Sequence, residues 1–128
     1  MYNTGTENGM TQWNDTQPIF LQIRQRMIDM ILKGIIAEGE ALPSVRQVST
    51  ELSVNPLTVT RAYEALVDLG TVEKRRGVGL FVTDGAREAL RAHEREKFLR
   101  EEWPSIVERI AALGLDVDDL IAGKERKA

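Results

Sequence analysis

Apolar residues recur at helical spacing from Pro18 onward, with Ile19, Ile23, Met27, Met30 and Ile31 falling on one face. Pro18 suits a first helical turn and Gly34 a C-terminal stop, so a first helix is predicted between them. Glu38, Gly39, Glu40 and Pro43 then make a turn-rich connection. Ser44 can cap a short second helix that carries Val45, Val48 and Leu52 on one side. Ser53 and Val54 form a tight joint before Asn55 and Pro56, a capping residue followed by proline at the first helical position, which is a strong start signal. The third helix places Val59, Ala62, Tyr63, Leu66 and Leu69 on one face and ends at Gly70, while Thr58, Arg61 and Glu64 look outward.

The period then changes. Val72 with Lys74, Arg75 and Arg76, and Leu80 with Phe81 and Val82, read as two short strands around a turn that holds Gly77 and Gly79. Beyond Thr83, Asp84 can cap a long helix with apolar residues Ala86, Leu90, Phe98, Leu99, Trp103, Val107, Ile110 and Leu113, which Pro104 should break or kink near Trp103. Asp116 can cap a last short helix through Leu120 and Ile121. Residues 1–12 have no apolar periodicity and read as a disordered leader, and 124–128 as a frayed tail.

Three helices with a sharp second-to-third connection, followed by a hairpin, is the order of a winged helix-turn-helix. The expected fold class is therefore mainly α, of α+β type, with that domain over 13–83 and a short helical dimerisation region over 84–123. A chain of 128 residues holds one modest domain plus an appendage, not a large catalytic module. It has no cysteine, a single histidine (His93) and no phosphate-binding glycine loop, so no enzyme, cofactor or metal site is expected. Asp116, Asp118 and Asp119 are explained by helix capping, since the glycine of a calcium loop is missing. Neither a signal peptide nor a membrane span is expected, and a cytoplasmic, nucleoid-associated protein fits.

Net charge is −3, which argues against a broad basic footprint. There are eight basic against nine acidic residues through Thr83, and nine against eleven beyond it, so DNA binding has to rest on local clusters. The third helix offers Asn55, Thr58, Thr60 and Arg61 in its first two turns, where hydroxyls and a guanidinium can reach base edges. Lys74, Arg75 and Arg76 lead into the turn, whose Gly77 and Gly79 allow close backbone approach. Arg46, in the first turn of the second helix, can reach a flanking phosphate.

Three stretches carry a family likeness: Leu42-Pro-Ser-Val-Arg-Gln-Val, Val54-Asn-Pro-Leu-Thr-Val-Thr-Arg-Ala-Tyr-Glu-Ala-Leu, and Arg75-Arg-Gly-Val-Gly-Leu-Phe-Val. Together they resemble the GntR family of bacterial repressors. The opening Pro18-Ile-Phe-Leu-Gln-Ile, with Asn55-Pro56 and Arg61-Ala62-Tyr63, is similar to its YtrA-like subfamily, in which a short helical region replaces a large effector domain. The resemblance implies operator contacts by Arg46, Thr58, Arg61, Gly77 and Gly79, together with autoregulation and control of adjacent transporter genes. Thr60 stands where many members carry arginine, and Leu57 where subfamily relatives often carry a second asparagine. Those departures bear on which sequence is bound.

Alternatives stand beside these readings. Arg61 can be a solvated residue paired with Glu64 or Glu51, and the basic strand can be edge protection against aggregation. Tyr63, Phe81 and the methionines are expected in the core. A winged helix can also serve as a protein-docking module. The favoured expectation is a transcriptional repressor that binds a palindromic operator in double-stranded DNA as a homodimer through Leu90, Phe98, Leu99, Trp103, Val107 and Ile110. About 45 residues after the wing cannot enclose a typical ~300–1,000 Å³ pocket, which leaves the dimer interface as the place for a small-molecule effector.

Overall fold

The computed structural model describes residues 13–123, so the expected leader and tail lie outside the described residues. The chain divides into two compact units, one ending at Arg91 and the other starting at Ala92.

In the first unit, α1 (Ile19–Leu32) begins at Pro18, whose carbonyl accepts from Leu21 N–H at 3.1 Å, and it buries Ile23, Met27, Ile28, Met30 and Ile31. Ile19, expected on that stripe, sits at its edge and stays 38% exposed. Next, α2 (Val45–Leu52) is capped by Ser44, whose side chain accepts from Gln47 N–H at 3.0 Å. Its last turn passes into Ser53 at φ 56°, a left-handed conformation that a non-glycine residue adopts at some cost. Ser49 closes this sharp joint, its hydroxyl donating to Val54 O at 2.7 Å. α3 (Pro56–Asp68) then starts at Asn55, whose Oδ1 accepts from Leu57 N–H at 2.8 Å, with Pro56 in the first turn where its missing N–H is no loss. Val59, Ala62, Tyr63 and Leu66 are buried, and α3 packs on both α1 and α2. Leu69 follows the last helical turn and is 45% exposed.

The hairpin pairs β1 (Val72–Arg75) with β2 (Gly79–Val82) antiparallel, in the register Val72↔Val82, Glu73↔Phe81, Lys74↔Leu80 and Arg75↔Gly79. The segment before α2 lies along β2 as a further edge: Leu42 N–H donates to Leu80 O at 2.8 Å, and Ala41 bridges Phe81. Val72 and Val82 point inward, because alternate residues of a strand share one face.

The division between the two compact units falls within α4 (Ala86–Lys97), between Arg91 and Ala92. The first two turns of α4 belong to the winged unit, and Ala86 and Leu90, four residues apart, are both 3% exposed in its core. The start of α4 is fastened by distant groups. Glu38, not the expected Asp84, accepts from Arg87 N–H at 3.2 Å, and Arg87 Nε donates to Leu32 O at 3.0 Å. The N–H groups of Gly85 and then Arg87 hold the Glu38 carboxyl below its ordinary pKa. A carboxylate with a lowered folded pKa contributes stability at and above its ordinary titration range, and that contribution disappears as pH falls through the folded value. Protection of the amides in the first turn of α4, taken relative to the intrinsic exchange rate at each pH, is therefore expected to fall on acidification, and Glu38→Gln to flatten that dependence; an unchanged profile would show that Glu38 does not fasten the helix.

In the second unit, α4 continues into a π-helical turn (Phe98–Glu102), followed by α5 (Trp103–Ala112) and α6 (Val117–Ala122). The expected break at Pro104 takes the form of that wider turn. Trp103 N–H donates to Phe98 O, five residues back, and the extra residue accommodates a proline that has no N–H of its own. Asp116 caps α6 by accepting from Asp119 N–H at 3.1 Å. None of the described residues of this unit is buried. No helix among the described residues is long and apolar enough to cross a membrane.

Candidate nucleic-acid interface

The outward surface of α3 faces the wing across a groove of about 520 Å³, lined on one side by Val45, Thr60, Tyr63, Glu64 and Val67 and on the other by every residue from Lys74 to Leu80. Six residues singled out from the sequence thus share one concave surface: Thr60, Lys74, Arg75, Arg76, Gly77 and Gly79. Tyr63 braces the groove from below, its buried ring beneath and its hydroxyl donating to Pro43 O at 2.7 Å. At the wing tip Val78 N–H donates to Arg75 O at 2.9 Å. Gly77 at φ 74° and Gly79 at φ 126° supply conformations that side chains rarely adopt, so glycine is required there by backbone geometry.

The remaining expected contacts lie outside the groove. Asn55 has its side-chain carbonyl committed to capping α3, which leaves its amide group as the available donor. Thr58 is half-buried, and Arg46 is exposed. Arg61 is exposed and lies over the Phe20 ring of α1, with its guanidinium carbon 4.1 Å from the ring centroid; it pairs with neither Glu64 nor Glu51. Among the described residues Arg46, Arg61, Lys74 and Arg76 form no ion pair, so their charge is not neutralised by neighbours. Arg75 differs. It stands over Phe81 at 4.2 Å and 3.9 Å from the Glu73 carboxylate, a surface pairing of ~0–1 kcal/mol. Phe81, expected in the core, is half-buried because its exposed side carries Arg75.

Sequence reasoning missed three features of this surface. Leu57 is 74% exposed at the start of α3 and Val78 is 67% exposed at the wing tip. Phe20 sits three residues before Ile23 and reads as one more position of the α1 stripe; nothing in its spacing signals a partner on α3.

Of the expected dimerisation residues, Leu90 is removed by its place in the winged core. A stripe of constant helical period runs through α4, and its first turns serve the winged unit. Phe98, Leu99 and Val107 are exposed in the second unit, while Trp103 and Ile110 are half-buried. Phe98 and Trp103 have ring centroids 6.2 Å apart, and Ile106 and Leu113 add further exposed apolar surface.

A three-helix core with a sharp α2–α3 joint and a basic glycine-turned hairpin defines a winged helix-turn-helix DNA-binding transcription regulator. The chain belongs to the GntR family: the model of the bacterial regulatory proteins, gntR family, matches residues 20–82. It is 32% identical over 112 residues to the uncharacterized HTH-type transcriptional regulator YhcF of Bacillus subtilis, covering 88% of this chain and 91% of YhcF. It is 33% identical over 103 residues to the HTH-type transcriptional repressor YtrA of the same organism, covering 80% of this chain and 78% of YtrA. A solved GntR family transcriptional regulator from Listeria monocytogenes is similar with TM-score 0.69 and 27% identity, over 91% of this chain and all of that one. These relatives are regulators of transcription, not enzymes, and the likeness to YtrA supports the YtrA-like reading made from the motifs.

Proposed function

We propose that this chain is a cytoplasmic, nucleoid-associated repressor that binds a palindromic operator as a homodimer, controlling its own operon and adjacent transporter genes. The observation that carries the DNA-binding surface is the set of unneutralised cations, Arg46, Arg61, Lys74 and Arg76, on the elements that frame the α3–wing groove. In this reading α3 enters the major groove, with Thr58, Thr60 and Arg61 toward base edges and Asn55 and Arg46 near the flanking backbone. Lys74, Arg75 and Arg76, with Gly77 and Gly79, hold the phosphates beside it. The second unit supplies the dimer: it is apolar along Phe98, Leu99, Trp103, Val107 and Ile110, and buries none of its described residues. Two-fold pairing there joins two winged units in one assembly. Repression is favoured because YtrA carries that designation. A small-molecule effector, if one acts, belongs at the interface between copies.

Sequences selected from a random DNA library by the purified chain are expected to form a palindrome with half-site centres about 10 bp apart. Recovery of no enriched sequence would refute the proposal. Lys74→Ala or Arg76→Ala is expected to weaken all DNA sequences alike and to reduce the slope of log affinity against log salt by about one. A loss confined to one base pair would instead make that residue a base reader.

A further inference from the structure

We propose that Phe20 is a positioning residue for sequence recognition: its ring fixes the Arg61 guanidinium so that the N–H edge of Arg61 is presented to a base. The proposal rests on the DNA-reading surface argued above and adds to it a residue from α1, outside the helix-turn-helix joint. The guanidinium carbon of Arg61 stands 4.1 Å from the Phe20 ring centroid. Phe20 is half-buried and packed against the core, so it is a fixed platform, whereas Arg61 is exposed on the outer side of α3.

Two physical consequences follow from that stack. A guanidinium is planar, with its donors along its edge, so a ring that occupies its face leaves the donors free for a bidentate contact such as guanine O6 and N7. A carboxylate partner would occupy the same donors, and Arg61 has none among the described residues. A flexible arginine also loses rotamer freedom when it binds, and one already resting on a ring has lost part of it beforehand. Arg75 over Phe81 shows the contrast. That stack has Glu73 3.9 Å from the Arg75 guanidinium, so part of its edge already faces a carboxylate within the hairpin.

The test compares affinities of the full chain for its selected operator, for operators altered at single base pairs and for a scrambled duplex, in wild type, Phe20→Leu, Phe20→Tyr, Arg61→Ala and the Phe20→Leu/Arg61→Ala double variant. Phe20→Leu is expected to lower operator affinity about 2–5-fold, the range of an exposed cation–π contact, and to leave scrambled DNA unaffected. The lost preference should fall at the base pair whose preference Arg61→Ala abolishes. Phe20→Tyr should retain wild-type behaviour, and Phe20→Leu should have no further effect once Arg61 is alanine. Affinity for operator relative to scrambled DNA does not change with the fraction of folded protein, so a folding defect cannot imitate this result. An equal loss on both duplexes, a loss that persists without Arg61, or tighter operator binding by Phe20→Leu overturns the role of Phe20. Absence of any sequence preference in the wild-type chain overturns the DNA-reading surface itself.

Discussion

Replacing Leu99 and Val107 together by glutamate is expected to yield a monomer in sedimentation at micromolar concentration and to reduce operator affinity by about 10²–10⁴-fold, the scale of avidity lost when two linked sites become one. Both side chains are exposed in the single chain, at 52% and 41%, so the substitution places no charge in a monomer core and leaves the winged unit intact. In a two-fold pairing of the second unit each charge enters the interface twice, and an unpaired buried carboxylate costs several kcal/mol. The affinity loss comes from geometry, since a lone winged unit occupies only one half-site. If the variant remains a dimer and binds within two-fold of wild type, the interface lies on another surface.

Arg61→Ala is expected to cost ~1–3 kcal/mol of operator binding, roughly a 5–150-fold loss, concentrated at one base pair of each half-site. Lysine is not an adequate substitute, because it has neither the planar fork that meets two acceptors nor the face that lies on Phe20. Arg61→Lys should therefore resemble alanine at that base pair while recovering some general affinity. Competition binding with single-base-pair operator variants measures both quantities. A uniform loss across all variants would reassign Arg61 to phosphate contact.

Features decided by neighbours in sequence were legible. Ser44, Asn55 with Pro56, and Asp116 announce their helices because a cap acts within three residues, and all three make the hydrogen bonds that their positions imply. The inward stripes of α1 and α3 follow from period alone, apart from Ile19 and Leu69 at their ends. The basic strand and its glycine turn were visible as a composition shift, and they line one groove with Thr60.

Features decided across the fold were hidden. Glu38 fastens a helix 49 residues away, and the segment at Ala41 extends the sheet through Phe81; neither leaves a local mark. Leu90 and Phe98 lie on one apolar stripe, yet Leu90 completes the winged core while Phe98 stays exposed in the second unit. Periodicity identifies a face without naming what covers it. For the same reason the sequence leaves open the alternative that Arg61 pairs with Glu64 or Glu51, whereas its partner is a ring on α1.

The most direct measurement is the dissociation constant of the purified full-length chain for its selected operator against a scrambled duplex of equal length, in one buffer at physiological ionic strength. A regulator that reads bases through α3 should prefer the operator by at least ~10³-fold, the lower end of specific recognition. Equal affinity for the two duplexes would mean that α3 and the wing do not read sequence.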